Sequence, residues 1–241
     1  MGVFDFLKPK SAIEKASKQL REPYAQPDYR QGAMDKLFEI GTEDAYRELL
    51  KRFTFNANGA IADESEKRTL VDRLVEVGDS TVAPLKDYIR TEKAITFPIQ
   101  ALQRILPKDD CDAFLTEALQ SLEPQDHRSS QAKVTLMVAL AETLPRHRAT
   151  VFVPYLDDHS DDVQFQAIEA LERLAEPDTK AELIRVCLGE QLHAPRIKRR
   201  AAKALSELGF VVKDKYEAFD SELKGEWGLD RKGVLTKKHS G

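Results

Sequence analysis

Apolar residues recur at helical spacing along most of the chain. Val163, Ala167, Ala170, Leu171 and Leu174 occupy positions i, i+4, i+7, i+8 and i+11, which places them on one face of an α-helix. The same stripe returns without gaps 34 positions later. The predicted helices that carry such a stripe end at or beside Gly41, Gly78, Leu106, Leu144, Ala175 and Gly209. Repetition of this kind predicts a repeat architecture.

A second apolar helix follows each of the first five stripes. These second helices are predicted at 45–53, 82–90, 112–122, 149–156 and 181–188. The intervals between successive first-helix ends are 37, 28, 38, 31 and 34 residues. Helical hairpins at about this period bury their stripes against their neighbours. The sequence therefore predicts an all-α, right-handed α-solenoid of about six hairpins, with the second helices lining its concave side.

Both ends of the chain depart from the repeat, and both are predicted to cap it. A short helix is predicted at 11–21, begun by a capping box of Ser11 and Glu14, and a second capping box joins Thr179 to Glu182. Two short extended pieces around a turn are predicted within 227–236, either as a C-terminal cap or as a tail that docks on a partner. The predicted divisions are 1–27, 28–209 and 210–241.

Several segments resemble HEAT repeats. Gln164 stands where many HEAT repeats carry arginine, whereas Lys198 keeps the basic character. Two segments resemble the first helix of a HEAT repeat, 161–171 and 197–209. Two others resemble the proline-containing start of a second helix, 82–85 and 153–156. The resemblance covers roughly residues 28–209. It implies an armadillo/HEAT-like solenoid of the short bacterial type and leaves the activity open.

Composition narrows the classes of function. The 241 residues are 41% hydrophobic and 32% charged, with a net charge of −4, which argues against a dedicated nucleic-acid binder. No apolar run approaches the length of a membrane span, and residues 1–7 lack the features of a signal peptide. Cys111 and Cys187 have no metal-type spacing. We expect a soluble cytoplasmic protein.

Residues with catalytic or metal-binding potential do not form a recognisable motif. His127, His159 and His193 fall at equivalent junctions 32 and 34 residues apart, too far apart in stacked repeats to share one metal ion, so we expect them on surface loops. No His-Glu dipeptide occurs, whereas the metal-dependent HEAT-repeat hydroxylases bind iron through such pairs. We expect no catalytic residue, no metal and no cofactor.

The most economical interpretation is a non-enzymatic adaptor or scaffold that binds another protein. One alternative is a lyase- or chaperone-like HEAT protein that acts on a protein bearing a prosthetic group. A weaker alternative is nucleic-acid binding through the C-terminal basic residues. Loop residue Phe55 is either an interface anchor or a buried side chain.

Two surfaces compete as the protein-binding site. Residues 1–192 hold 25 basic and 34 acidic residues, whereas residues 193–241 hold 12 and 7, so net charges of −9 and +5 make up the total of −4. The basic excess includes four residues at helical spacing, hereafter the basic stripe, which is either a solvated face or a docking site for an acidic surface or a phosphate. The basic stripe consists of Arg196, Arg199, Arg200 and Lys203. The competing site, on the predicted concave wall, consists of Arg47, Lys51, Lys86, Tyr88, Arg90 and Tyr155.

Overall fold

A computed structural model of the chain describes residues 8–189 and 193–238. These residues form twelve α-helices, several 3-10 helices and one two-stranded antiparallel sheet, so the all-α prediction is confirmed. No helix among them has the length and the apolar character needed to cross a bilayer. The chain divides into two compact units, residues 1–111 and 112–241. The sequence-based boundaries at 27/28 and 209/210 stay predictions.

The first unit contains six complete helices, and each contacts its neighbours in the chain or the element after next. Among these contacts are α1 with α2, α3 with α5, and α4 with α6, the pattern of packed helical hairpins. The helices are α1 (Lys8–Leu20), α2 (Pro27–Ile40), α3 (Glu43–Leu50), α4 (Ala60–Val77), α5 (Val82–Thr91) and α6 (Thr96–Ile105). Helix α7 (Lys108–Gln120) contains the boundary between the units.

The second unit continues with α8 to α12 and ends in the small sheet. Helix α9 contacts α8 and α11, while α10 contacts α11 and α12. The helices are α8 (Ser130–Thr143), α9 (Asp161–Leu174), α10 (Lys180–Leu188), α11 (Pro195–Glu207) and α12 (Tyr216–Glu222). The strands are β1 (Trp227–Leu229) and β2 (Leu235–Lys237). The sheet packs on α11 and α12 packs on α10, as a terminal cap requires.

Three local predictions need correction. Helix α1 begins at Lys8, so Ser11 lies inside the helix and forms no capping box. The Thr179 hydroxyl donates to the Glu176 carbonyl at 2.6 Å and accepts no cap hydrogen bond. The element predicted as an α-helix at 149–156 is a 3-10 helix, Arg146–Asp157, with Pro154 inside it, because proline lacks the N–H that an α-helical interior needs.

A residue with a hydrogen-bond donor recurs eleven residues before five of the six predicted first-helix ends. Arg30 donates to the carbonyls of Glu22 and Ala25. Gln164 donates to the carbonyl of Asp158 at 2.6 Å. The residues at this position are Arg30, Lys67, Ile95, Lys133, Gln164 and Lys198, and all but Lys198 are buried. At Arg30, Lys133 and Gln164 the buried donor is satisfied by backbone carbonyls of the preceding loop, which anchors that loop to the helix.

Lys133 shows this anchoring in its most buried form. Its ammonium donates to the carbonyls of Pro124 and Asp126 at 3.1 and 3.0 Å and to the Asp158 carboxylate at 2.6 Å. The side chains of Lys133 and Asp158 are both completely buried. All three N–H groups of the ammonium therefore have acceptors, which offsets the cost of burying the charge.

In the first unit, a cluster of five charged residues also anchors a loop to the following helix. Glu66 accepts hydrogen bonds from Arg30 at 2.9 Å and from Arg52, while Asp63 accepts from Arg52 at 2.6 Å and from Lys67 at 2.8 Å. Burial alone would raise the pKa of Asp63, but hydrogen bonds from the Ala57 N–H, Lys67 and Arg52 outweigh it and lower the pKa to about 2. The carboxylate is thus held in its charged form.

We predict that Lys133→Met lowers the free energy of unfolding by about 3–5 kcal/mol, because Asp158 is left as a buried unpaired charge. Urea denaturation measures the loss. The control Arg68→Met removes an exposed cation, 71% accessible, and should change stability by no more than about 0.5 kcal/mol. The double variant Lys133→Met, Asp158→Leu should recover part of the loss. A loss below about 1 kcal/mol in Lys133→Met would contradict a stabilising role for this pair.

A second prediction concerns pH. Because the folded pKa of Asp63 lies below its ordinary value of 3.8, the stabilisation is complete above about pH 4 and is lost as pH falls toward 2. Asp63→Asn should therefore be less stable than wild type at pH 7 by about 2 kcal/mol, with the difference shrinking between pH 4 and 2. Thermal unfolding across this range measures it, and a difference that is constant with pH would contradict the prediction.

Candidate functional site

The charged residues predicted for the concave wall lie in the first unit. Arg47 on α3 pairs with Glu43 at 2.5 Å and with Asp87 on α5 at 2.7 Å, and so links two neighbouring second helices. Lys51 pairs with Glu48 at 2.5 Å. Lys86 and Arg90 lie on α5, where Lys86 is half-buried and Arg90 is exposed. Arg47 and Lys51 are therefore already engaged by carboxylates of the same chain.

The two tyrosines predicted for the same wall are core residues, and this part of the expectation is corrected. Tyr88 is 7% exposed and packs edge-on against Phe53, with ring centres 6.4 Å apart. Tyr155, in the second unit, is 2% exposed and donates its hydroxyl to the Leu119 carbonyl. Burial raises the pKa of both phenols, that of Tyr155 to about 12. Neither side chain is presented to a partner.

Phe53 and Phe55 differ in their surroundings. Phe53 is 3% exposed and stacks on Phe97 with ring centres 5.6 Å apart, as expected for a core residue. Phe55 is half-buried, and the Arg52 guanidinium lies 4.7 Å from its ring centre. That cation–π contact ties Phe55 to the charged cluster, so we do not include it in a binding surface.

The basic stripe lies on α11, and carboxylates surround it. Arg199 donates to Glu226, just before β1, through Nε at 3.0 Å and Nη2 at 2.9 Å. Arg200 pairs with Glu172 and lies 3.7 Å from Glu169. The two outer cations also have partners: Arg196 pairs with Asp161 and Asp162 at 3.1 and 2.6 Å, and Lys203 lies 3.5 Å from Glu207. The stripe is thus charged but internally compensated.

The buried face of α11 determines how the stripe is presented. Ile197, Ala201, Ala204 and Leu205 are completely buried, and they occupy one face at helical spacing. Lys198 pairs with Glu222 at the end of α12 at 2.8 Å. Because α11 is fixed on these sides, the stripe lies between α9, whose acidic residues pair with Arg196 and Arg200, and the segment just before β1, whose Glu226 pairs with Arg199.

The stripe forms one wall of a groove of about 560 Å³ in the second unit. Phe165 on α9 and Trp227 on β1 add aromatic surface, and Lys237 on β2 adds a fifth cation. The lining also includes Glu169, Glu207 and Glu226, so five cations face three carboxylates. Asp161, Asp162 and Glu172, which pair with Arg196 and Arg200 from outside the lining, offset this local excess of cations.

Two N–H donors in this lining have no acceptor. They are Nε1 of Trp227 and Nη1 of Arg200, both shielded from solvent. Trp227 is 5% exposed and the Arg200 side chain 10%. An unsatisfied buried donor costs about 1–3 kcal/mol, and in native proteins such groups are uncommon and call for an explanation.

A carboxyl pair lies beside the stripe. Burial and a hydrogen bond to Glu207 raise the pKa of Glu172, although Arg200 opposes the shift. The hydrogen bond from Glu172 lowers the pKa of Glu207. The two carboxyl groups therefore have pKa values displaced in opposite directions, with that of the more buried Glu172 raised.

Of the three histidines predicted to lie on surface loops, one is buried. His193 is 7% exposed, with Nδ1 3.0 Å from Gln164 Oε1 and Nε2 3.3 Å from Asp157 Oδ1, so its placement on a surface loop is corrected. Burial lowers the pKa of His193. His127 and His159 are exposed as expected. Within residues 8–189 and 193–238 no three metal-ligating side chains are grouped around a common point.

Sequence reasoning placed the basic stripe on one helix face but missed the other walls of the groove. Trp227 is the single tryptophan of the chain, and it lies in the segment predicted to form either a C-terminal cap or a docking tail. The lone tryptophan is the sequence signal that draws attention to this segment. Its proximity to the stripe follows only from packing of the sheet on α11.

A comparison with known proteins identified no relative of this chain. No family model, curated protein or solved structure matches the chain.

Proposed function

We propose that the protein is a non-enzymatic, cytoplasmic adaptor that binds another protein through the groove beside the basic stripe. The groove carries the proposal, because it combines arginine and aromatic side chains, the residue types that contribute most to protein interfaces. Its arginines and lysines can bind acidic groups of a partner in exchange for the carboxylates of the chain. Cys111 and Cys187 are both buried and are not joined in a disulfide, which agrees with a reducing compartment.

Charge also favours a protein over a nucleic acid. A duplex or single strand presents a continuous line of phosphates, whereas this groove interleaves its cations with Glu169, Glu207 and Glu226. Those carboxylates would repel a continuous polyanion but leave room for a short acidic segment that presents charge at selected positions. We therefore rank nucleic acid and prosthetic-group carriers below a protein partner.

The proposal includes the architecture expected from the HEAT resemblance, a right-handed solenoid of about six hairpins. Neighbour-to-neighbour helix contacts within each unit support it. Small-angle scattering should then give a radius of gyration clearly above the roughly 18 Å of a compact chain of this length. A value at or below about 18 Å would contradict the elongated arrangement.

The function is tested by charge reversal in the groove. We predict that Arg199→Glu with Lys203→Glu weakens partner binding at least about tenfold at low salt, and less at about 500 mM salt, where screening shortens the reach of the charges. The partner is captured from lysate of the source cell on immobilised wild type, identified, purified and titrated against each variant.

The matched control is Arg68→Glu with Arg104→Glu, two exposed arginines that also pair with carboxylates of the chain. It should bind like wild type. A second pair, Lys86→Glu with Arg90→Glu, tests the concave wall. Three results would contradict the proposal. They are loss of binding only in that pair, equal binding by all variants, and recovery of a nucleic acid or a coloured ligand instead of a protein.

A further inference from the structure

A ligand of the groove has to compete with carboxylates that already occupy the stripe. Glu226 binds Arg199 through two parallel N–H donors, the geometry in which guanidinium and carboxylate interact best. A partner glutamate that displaced Glu226 would replace one carboxylate by another and gain little. Effective competition requires a group with more charge and more acceptor oxygens than a carboxylate.

The hydrogen-bond donors without acceptors in the groove lining also favour a ligand with more acceptor oxygens than a carboxylate. Trp227 Nε1 and Arg200 Nη1 are donors without acceptors, and both side chains are at least nine-tenths buried. A carboxylate bound to Arg199 through both oxygens keeps one further lone pair on each, but it has only two oxygens to reach donors in different directions. A phosphoryl group has three terminal oxygens and carries about −1.5 to −2 charges at neutral pH.

We propose that the groove recognises a phosphorylated serine or threonine in an extended segment of the partner protein. The proposal rests on the proposed function and specifies its ligand. The phosphoryl group displaces Glu226 from Arg199 and accepts from Arg199, Arg200 and Lys203, as arginine clusters do in phosphopeptide recognition. The same lining holds the two residues whose donors lack acceptors.

The remaining walls favour a peptide over an isolated phosphate. Phe165 is half-buried and gives the groove an apolar side, and the groove volume of about 560 Å³ exceeds what a phosphate fills. Side chains that flank a phosphoserine can cover the aromatic surface, which inorganic phosphate leaves exposed to water. Binding of the peptide should therefore be tighter than binding of the ion.

Tryptophan fluorescence reports ligand binding in the groove, because all of it comes from Trp227. Three peptides of one sequence, with phosphoserine, glutamate or serine at the central position and phenylalanine and leucine on either side, are titrated into the full chain. We expect a saturable change with the phosphoserine peptide, at least about tenfold tighter than with the glutamate peptide, and none with the serine peptide. Titration calorimetry repeats each measurement without relying on fluorescence.

Variants locate the site. Arg199→Gln with Lys203→Gln should weaken binding of the phosphoserine peptide at least about tenfold, whereas the matched control Arg104→Gln, an exposed arginine paired with Asp72, should bind like wild type. Circular dichroism checks that the variants are folded. Both substitutions leave the contacts of Arg200 with Glu172 in place.

The following results would overturn the inference: equal affinity for the phosphoserine and glutamate peptides; equal affinity for inorganic phosphate and the phosphoserine peptide; tighter binding of a single-stranded oligonucleotide; or no heat and no fluorescence change with the phosphoserine peptide. Phosphatase treatment of the captured partner separates this inference from the proposed function. A partner that still binds the groove after treatment overturns the phosphoryl requirement and leaves the adaptor role intact.

Discussion

The structure depends on one constraint, that long donor side chains buried near the start of a helix must still be hydrogen-bonded. The backbone carbonyls of the preceding loop supply acceptors. Arg30 reaches two carbonyls of the loop before α2, Lys133 reaches two before α8, and Gln164 reaches one before α9. Buried cations also need counter-charges, and these are supplied by Glu66 and Asp158. The charged clusters therefore follow from the need to satisfy these buried donors.

The equivalent position on α11 carries Lys198. Its ammonium lies so close to Gly189 that a Cβ at that glycine would be only 2.1 Å away, and it pairs with Glu222. The buried face of the helix and this ion pair leave the basic stripe between α9, which pairs with Arg200, and the segment just before β1, which pairs with Arg199. The groove therefore depends on how α9, α11 and the C-terminal segment pack together.

Charge in the groove is arranged in pairs. Glu226 lies immediately before β1 and binds Arg199, while Lys237 on β2 brings a further cation to the same lining. The C-terminal segment therefore contributes both the carboxylate that pairs with Arg199 and a further cation of the lining. In the proposed recognition, a ligand has to displace such a carboxylate and also pack against the aromatic side of the groove.

The amino-acid sequence by itself determined the helices and their buried faces, because the 3.6-residue period of apolar positions records which side of a helix meets its neighbours. Four of the five second helices and the two short extended pieces near Trp227 were predictable from such local patterns. Tyr88 and Tyr155 were not, since polar ends on amphipathic side chains give the same spacing whether the ring is buried or exposed. The pairing of Arg199 with Glu226, 27 residues away, and the closure of the groove by Trp227 and Phe165 were decided only by tertiary packing. No local period specifies which distant side chains will meet.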